Sequence, residues 1–158
     1  MERDNEGSRR EIDAIRRQLS DNASQVASAL AALCVRHPSL REDLLLHRAL
    51  GRLIERCPPV YLMALRSFHS GYVPSAPARD NARFYFFSRG GPFPAAAMLK
   101  QDHAALNNRR GSAETAAAQF YLDLCAFLWE HVEKNPMVKP VVAGKSRANL
   151  QCLPGGRK

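Results

Sequence analysis

The sequence predicts an all-α protein, a single-domain bundle of about five helices packed round a largely buried C-terminal helix at 112–134. Three observations carry this reading. Capping-box patterns at Ser8-Arg9-Arg10-Glu11 and Ser39-Leu40-Arg41-Glu42 precede apolar stretches; in such a box the hydroxyl accepts from the first turn and the glutamate reaches back. Apolar residues recur at steps of three and four, the spacing of one helix face. Proline and glycine fall between those stretches, where helices must stop. With 158 residues, 46% of them apolar, the chain is long enough to bury a core as one domain.

Residues 1–7 are charged and mixed in sign, and are expected to form a flexible end ahead of a helical domain at 8–134. Behind Ser8, the row Ile12, Ile15, Leu19, Asn22, Val26 and Leu33 keeps helical spacing, with Asn22 as its polar member. Such a row is either a face folded into its own domain or a short self-association seam in which the asparagine fixes register. Packing within the domain is favoured, and these six residues stand as the candidate seam. His37-Pro38 ends the helix. Leu44, Leu46, Leu50, Leu53, Ile54 and Cys57 then form the inward set of a helix at 40–57, with Arg48, Arg52 and Glu55 on its solvated face.

Pro58-Pro59 opens a short apolar helix at 60–69, since proline is tolerated in a first turn. Residues 71–82 read as the longest internal loop. Arg83-Phe84-Tyr85-Phe86-Phe87-Ser88 packs four aromatics together, which suits a short extended segment near 83–88, although six residues also fit a helical turn. A helix is expected at 95–106, with Met98, Leu99 and Leu106 facing in. In the last helix Ser112 is the expected cap, and Gln119, Asp123, Glu130 and Glu133 form one narrow polar stripe. Most of its circumference is apolar, so its Phe, Tyr and Trp residues belong to the core rather than to a ligand box. Asn135-Pro136 stops it. Residues 135–158 are expected to be a basic, flexible tail.

The net charge is +8 and it is uneven. Residues 1–57 carry ten basic and nine acidic side chains, 58–111 carry seven and two, and 135–158 carry five and none. No apolar run approaches the roughly 20 residues that span a bilayer, and no apolar core follows the charged N-terminus as in a signal peptide. An intracellular protein, cytoplasmic or nuclear, without a membrane span is the expectation. Cys34, Cys57, Cys125 and Cys152 make no CxxC pair and are expected to be free thiols.

Chemistry is hard to find in these residues. Cys34-x-x-His37 has ligand-like spacing but no second close pair, so no metal or other cofactor is expected. Cys125 and His131 are about 200° apart on one helix and cannot act as nucleophile and base. Serine-nucleophile, zinc-protease and phosphate-loop motifs do not occur. The expectation is a non-enzymatic regulatory or adaptor-type protein acting through protein–protein contact or self-association. The alternative is a nucleic-acid binder or RNA-packaging protein. Its phosphate-gripping set would be Arg79, Arg83, Arg89, Lys100, Arg109 and Arg110 around the aromatic run, with Lys139, Lys145 and Arg147 in the tail.

Overall fold

The computed structural model describes residues 2–69, 71–88, 96–109 and 111–133, and it is all-α, with no strand among the described residues. Its helices are α1 (Glu2–Asn22), α2 (Ser24–Arg36), α3 (Leu44–Arg56), α4 (Pro59–Leu65), α5 (Ala76–Asn81), α6 (Ala96–Asn107) and α7 (Ser112–Leu128). A 3-10 turn at Pro38–Glu42 joins α2 to α3, and π-helical turns at Ala82–Ser88 and Trp129–Glu133 follow α5 and α7.

Several local expectations give way. The first helix starts at Glu2, so Ser8 lies inside it and does not cap it. The row from Ile12 to Leu33 is carried by two helices, because the chain bends at Ala23 (φ −155°, ψ 73°), a fully buried residue. Pro38 makes Ser39–Glu42 part of the 3-10 turn, and the cap of α3 is Asp43, whose carboxylate accepts from the Leu46 N–H at 3.2 Å. Residues 76–81, expected as loop, form α5 with Ser75 as cap, its hydroxyl accepting from the Ala78 N–H. The aromatic run is helical rather than extended: wide-turn helix turns Phe86 and Phe87 into the core together. Gly111, not Ser112, precedes α7 as its cap. Its φ of 121° lies where side chains are disfavoured, and a Cβ there would stand 2.4 Å from Glu114 Oε2.

α1 packs on both α2 and α3, α3 packs on α6, α6 on α7, and α4 and α5 also lean on α7. The expected role of the last helix holds. Phe120, Tyr121, Leu122, Leu124, Cys125, Ala126, Phe127 and Leu128 are all buried, which needs neighbours on several sides of one helix. Its polar stripe is used as well. Asp123 receives Arg79 of α5 at 3.4 Å, and Glu130 accepts from the Tyr72 hydroxyl and from Ser75. An aromatic cluster of Phe68, Tyr72, Phe120 and Phe127 fills this end in edge-to-face pairs 5.2–6.1 Å apart.

α3 is tied on three sides. Arg48 grips Glu11 of α1 through two nitrogens at 2.8 and 2.9 Å. Arg52 does the same to the buried Asp102 of α6, and Arg109, after α6, reaches Asp43 at 2.8 and 3.1 Å. Two-pronged arginine–carboxylate contacts fix orientation as well as distance. Gly51 lets α1 come close: a Cβ added there would sit 3.1 Å from Ile15 Cγ2.

Candidate functional site

The bend at Ala23 swings α2 back beside α1, and the 3-10 turn closes the far end. Between them lies a half-open cavity of about 400 Å³. Its walls are Leu19 of α1 together with Ala27, Leu30, Ala31, Cys34 and Val35 of α2, which is nearly all apolar. Three polar side chains border it, namely Arg16, Arg41 and His47. A volume of this size with a few placed polar groups falls within the range of small-ligand and anchor-residue pockets.

α2 explains why the cavity is there. Its sequence has a single charged residue, Arg36, and beyond Ser24, Gln25 and Ser28 its faces are apolar. Val26, Ala29, Leu30 and Leu33 turn inward, while Ala31 is exposed and Val35 is 71% exposed. Ala27, Ala31 and Val35 are four apart and share the outer face beside the cavity.

The polar groups differ in their commitments. Arg16 donates to the Arg41 carbonyl and lies 3.8 Å from Asp13 and 3.9 Å from Glu42. Arg41 is exposed, and its guanidinium has no ion-pair partner among the described residues. His47 is fully buried; its Nε2–H donates to the Leu40 carbonyl at 3.1 Å, and its Nδ1 has no hydrogen-bond partner. Burial, and next the nearby Arg16 charge, hold its pKa below that of a free imidazole. Burial pushes the Cys34 thiol up despite Arg16 and Arg41. A protonated thiol is a weak nucleophile.

The residues singled out in the sequence lie elsewhere. Of the candidate seam, Ile12, Leu19, Val26 and Leu33 are buried in the chain's own core, Ile15 is half-buried against Gly51, and Asn22 is exposed. Of the arginine set, Arg79 binds Asp123, Arg109 binds Asp43, and Arg83 lies 3.8 Å from Asp80. Lys100 is exposed. Arg89, Arg110, Lys139, Lys145 and Arg147 lie outside the described residues, as does the whole tail. Phe86 and Phe87 are buried and Phe84 is half-exposed, so the aromatic run serves mainly as core. Cys125 is fully buried, whereas His131 is exposed and stacks on Phe127. Among the described residues no group of three or more His, Cys, Asp or Glu is placed to hold a metal ion, and no helix is long and apolar enough to cross a membrane.

The cavity escaped the sequence because it joins two turns of α1, one face of α2, the 3-10 turn and His47 of α3. The one signal was α2 itself, whose Ala31 and Val35 stand where an amphipathic helix would carry charge. Comparison with known protein families, with curated proteins and with solved structures finds no match for this chain.

Proposed function

We propose that the protein is a non-enzymatic interaction module, of regulatory or adaptor type, whose working surface is the outer face of α2 and the cavity beside it. One observation carries the reading: an apolar helix face, with Ala31 and Val35 exposed and Ala27 half-buried, borders a half-open apolar cavity, and Arg41 at its rim has no ion-pair partner among the described residues. Small residues let a second helix approach closely, the cavity takes its largest apolar side chain, and Arg41 favours an acidic partner. The occupant is an acidic amphipathic helix of another protein.

Fluorescence anisotropy with labelled acidic amphipathic peptides tests this. Saturable binding is expected, and Ala31→Arg, placed on an exposed position, is expected to weaken it at least about tenfold, as a charge set into an apolar contact should. Equal binding by Ala31→Arg and the parent protein would remove α2 as the docking face.

The second reading, nucleic-acid binding, is favoured by the +8 charge and by a tail at 135–158 with five basic and no acidic residues. A salt-titrated gel shift with single- and double-stranded RNA and DNA separates the two, because phosphate neutralisation gives a steep salt dependence.

A further inference from the structure

The cavity beside α2 is graded from apolar to cationic. Leu19, Leu30 and Cys34 are buried wall, whereas the two arginines that line it also reach solvent, Arg16 being half-buried and Arg41 exposed. Both guanidiniums are felt at the wall: burial raises the Cys34 thiol most, and Arg16 and then Arg41 pull its pKa back down. Water finds few hydrogen-bond partners against apolar walls, and an apolar cavity of about 150 Å³ is already large enough to bind benzene. This one measures about 400 Å³.

We propose that the cavity is a binding site for a free amphipathic monocarboxylate, such as a medium-chain fatty acid, its alkyl chain lying against Leu19, Ala27 and Leu30 and its carboxylate paired with Arg41 at the rim. Such a site exists whether or not a partner helix docks on α2, and where one does, ligand and helix contend for the same space.

The sign of the charge narrows the ligand first. The charged side chains that line the cavity, Arg16 and Arg41, are both cations, so a cationic amphiphile is repelled. The carboxylate of Glu42 is shared by Arg9 at 3.7 Å and Arg16 at 3.9 Å, and Arg16 is further spent on Asp13 and the Arg41 carbonyl. Arg41 has no ion-pair partner among the described residues. One uncommitted cation matches a single negative charge, and a guanidinium presents two parallel N–H donors to the two oxygens of a carboxylate. A phosphate dianion would bring a second charge close to Glu42. Sugars and other polyols carry hydroxyls that apolar walls leave without partners. A plain hydrocarbon suits the walls but leaves Arg41 unused. His47 is fully buried and serves as wall, with no part in recognition. In a half-open cavity the chain enters first, and the head stays at the mouth, where water still helps to solvate the ion pair.

Titration calorimetry on the full-length protein, below micelle-forming concentrations, tests this with hexanoate, octanoate and decanoate. Decanamide and decylamine supply a neutral and a cationic head on the same chain. Affinity is expected to rise about fourfold per added methylene while the chain fills the cavity. Decanoate is expected to bind about tenfold tighter than decanamide, the worth of a charge-assisted pair, and decylamine weakest of the three. Arg41→Gln should erase the advantage of decanoate and leave decanamide binding unchanged, a split that misfolding would not produce. In the parent protein the methyl resonances of Leu19, Leu30 and Val35 should shift with decanoate, a readout that needs no variant. No binding by decanoate, binding regardless of head charge, or shifts confined to methyls away from the cavity would each overturn the proposal. Labelled acidic helical peptides separate it from docking. Decanoate bound where no peptide binds supports the site and removes only the docking reading; peptides bound where decanoate does not bind leave docking in place and overturn the site.

Discussion

α2 and α3 have the same length, 13 residues each, and only the 3-10 turn separates them, yet the chain treats them in opposite ways. α3 begins beside Asp43 and carries His47, Arg48, Arg52, Glu55 and Arg56; Asp43, Arg48 and Arg52 each meet a partner on another element. α2 carries one charge and leaves Ala31 and Val35 in solvent. The helix that looks more reactive in sequence is the one locked in place, and the blander one is left open. Charges that find partners within the fold become structure, while the outer face of α2 stays uncovered among the described residues.

The largest expected effect breaks that contrast at the level of packing. Leu50→Ala in α3, at a fully buried position, should lower stability by about 3 kcal/mol in a urea melt, since the cavity left behind adds to the lost burial. Val35→Ser on α2 should change it by less than about 0.5 kcal/mol. A similar loss for both would mean that α2's outer face is held by something within the chain.

The next effect sharpens the role of the clamps. Asp102→Ala leaves Arg52 facing a buried gap, and because Arg52 is itself partly exposed the expected loss is about 2 kcal/mol, below that of a fully buried pair. Glu11→Ala breaks a more exposed pair and should cost about 0.5 kcal/mol. A double-mutant cycle on Arg52 and Asp102, read by urea midpoint, checks whether the coupling exceeds that of Arg48 and Glu11.

The smallest effect is in pH. Burial, the leading cause in each case, depresses the pKa of His47 and of His103, with Arg16 acting further on the first and Arg83 on the second. Below about pH 6.5 the unfolded chain takes up protons at these sites and the folded chain does not, so stability should fall as pH drops from 7 toward 5. For His47, the carboxylates Asp43 and Glu42 oppose this weakly. Asp123 works the other way at lower pH, because burial raises its carboxyl and the folded chain holds that proton longer. Thermal melts across this range should fall less steeply for His103→Phe, and an unchanged slope would place His103 outside the titrating set.

What was legible in the sequence was what local chemistry decides. Helical spacing marked α7 as a helix buried on several sides, and the prolines at 38, 58 and 59 marked real ends. Legibility ended where tertiary contacts decide. Nothing in Asn22-Ala23-Ser24 announces a bend, which lets Ala23 bury and α2 fold back against α1. Ser8 and Ser39 sit in good capping boxes, yet α1 runs past the first and the turn at Pro38 displaces the second. The arginines at 79 and 109 looked like a basic collar because their carboxylates, Asp123 and Asp43, are 44 and 66 residues away. The cavity is likewise a product of four separate stretches, and no one of them contains it.

Asp43 has a consequence for how the protein is made. It caps α3, and it also receives Arg109 from 66 residues further on, while Arg52 awaits Asp102. Synthesis delivers α1, α2 and α3 well before either partner leaves the ribosome, and domains complete folding as units. A nascent chain stopped between α5 and α6 therefore has its first five helices in hand but an unlatched α3, with Asp43 and Arg52 still lacking Arg109 and Asp102. The latching of α3 waits for the last forty or so residues of the described fold, from α6 onward.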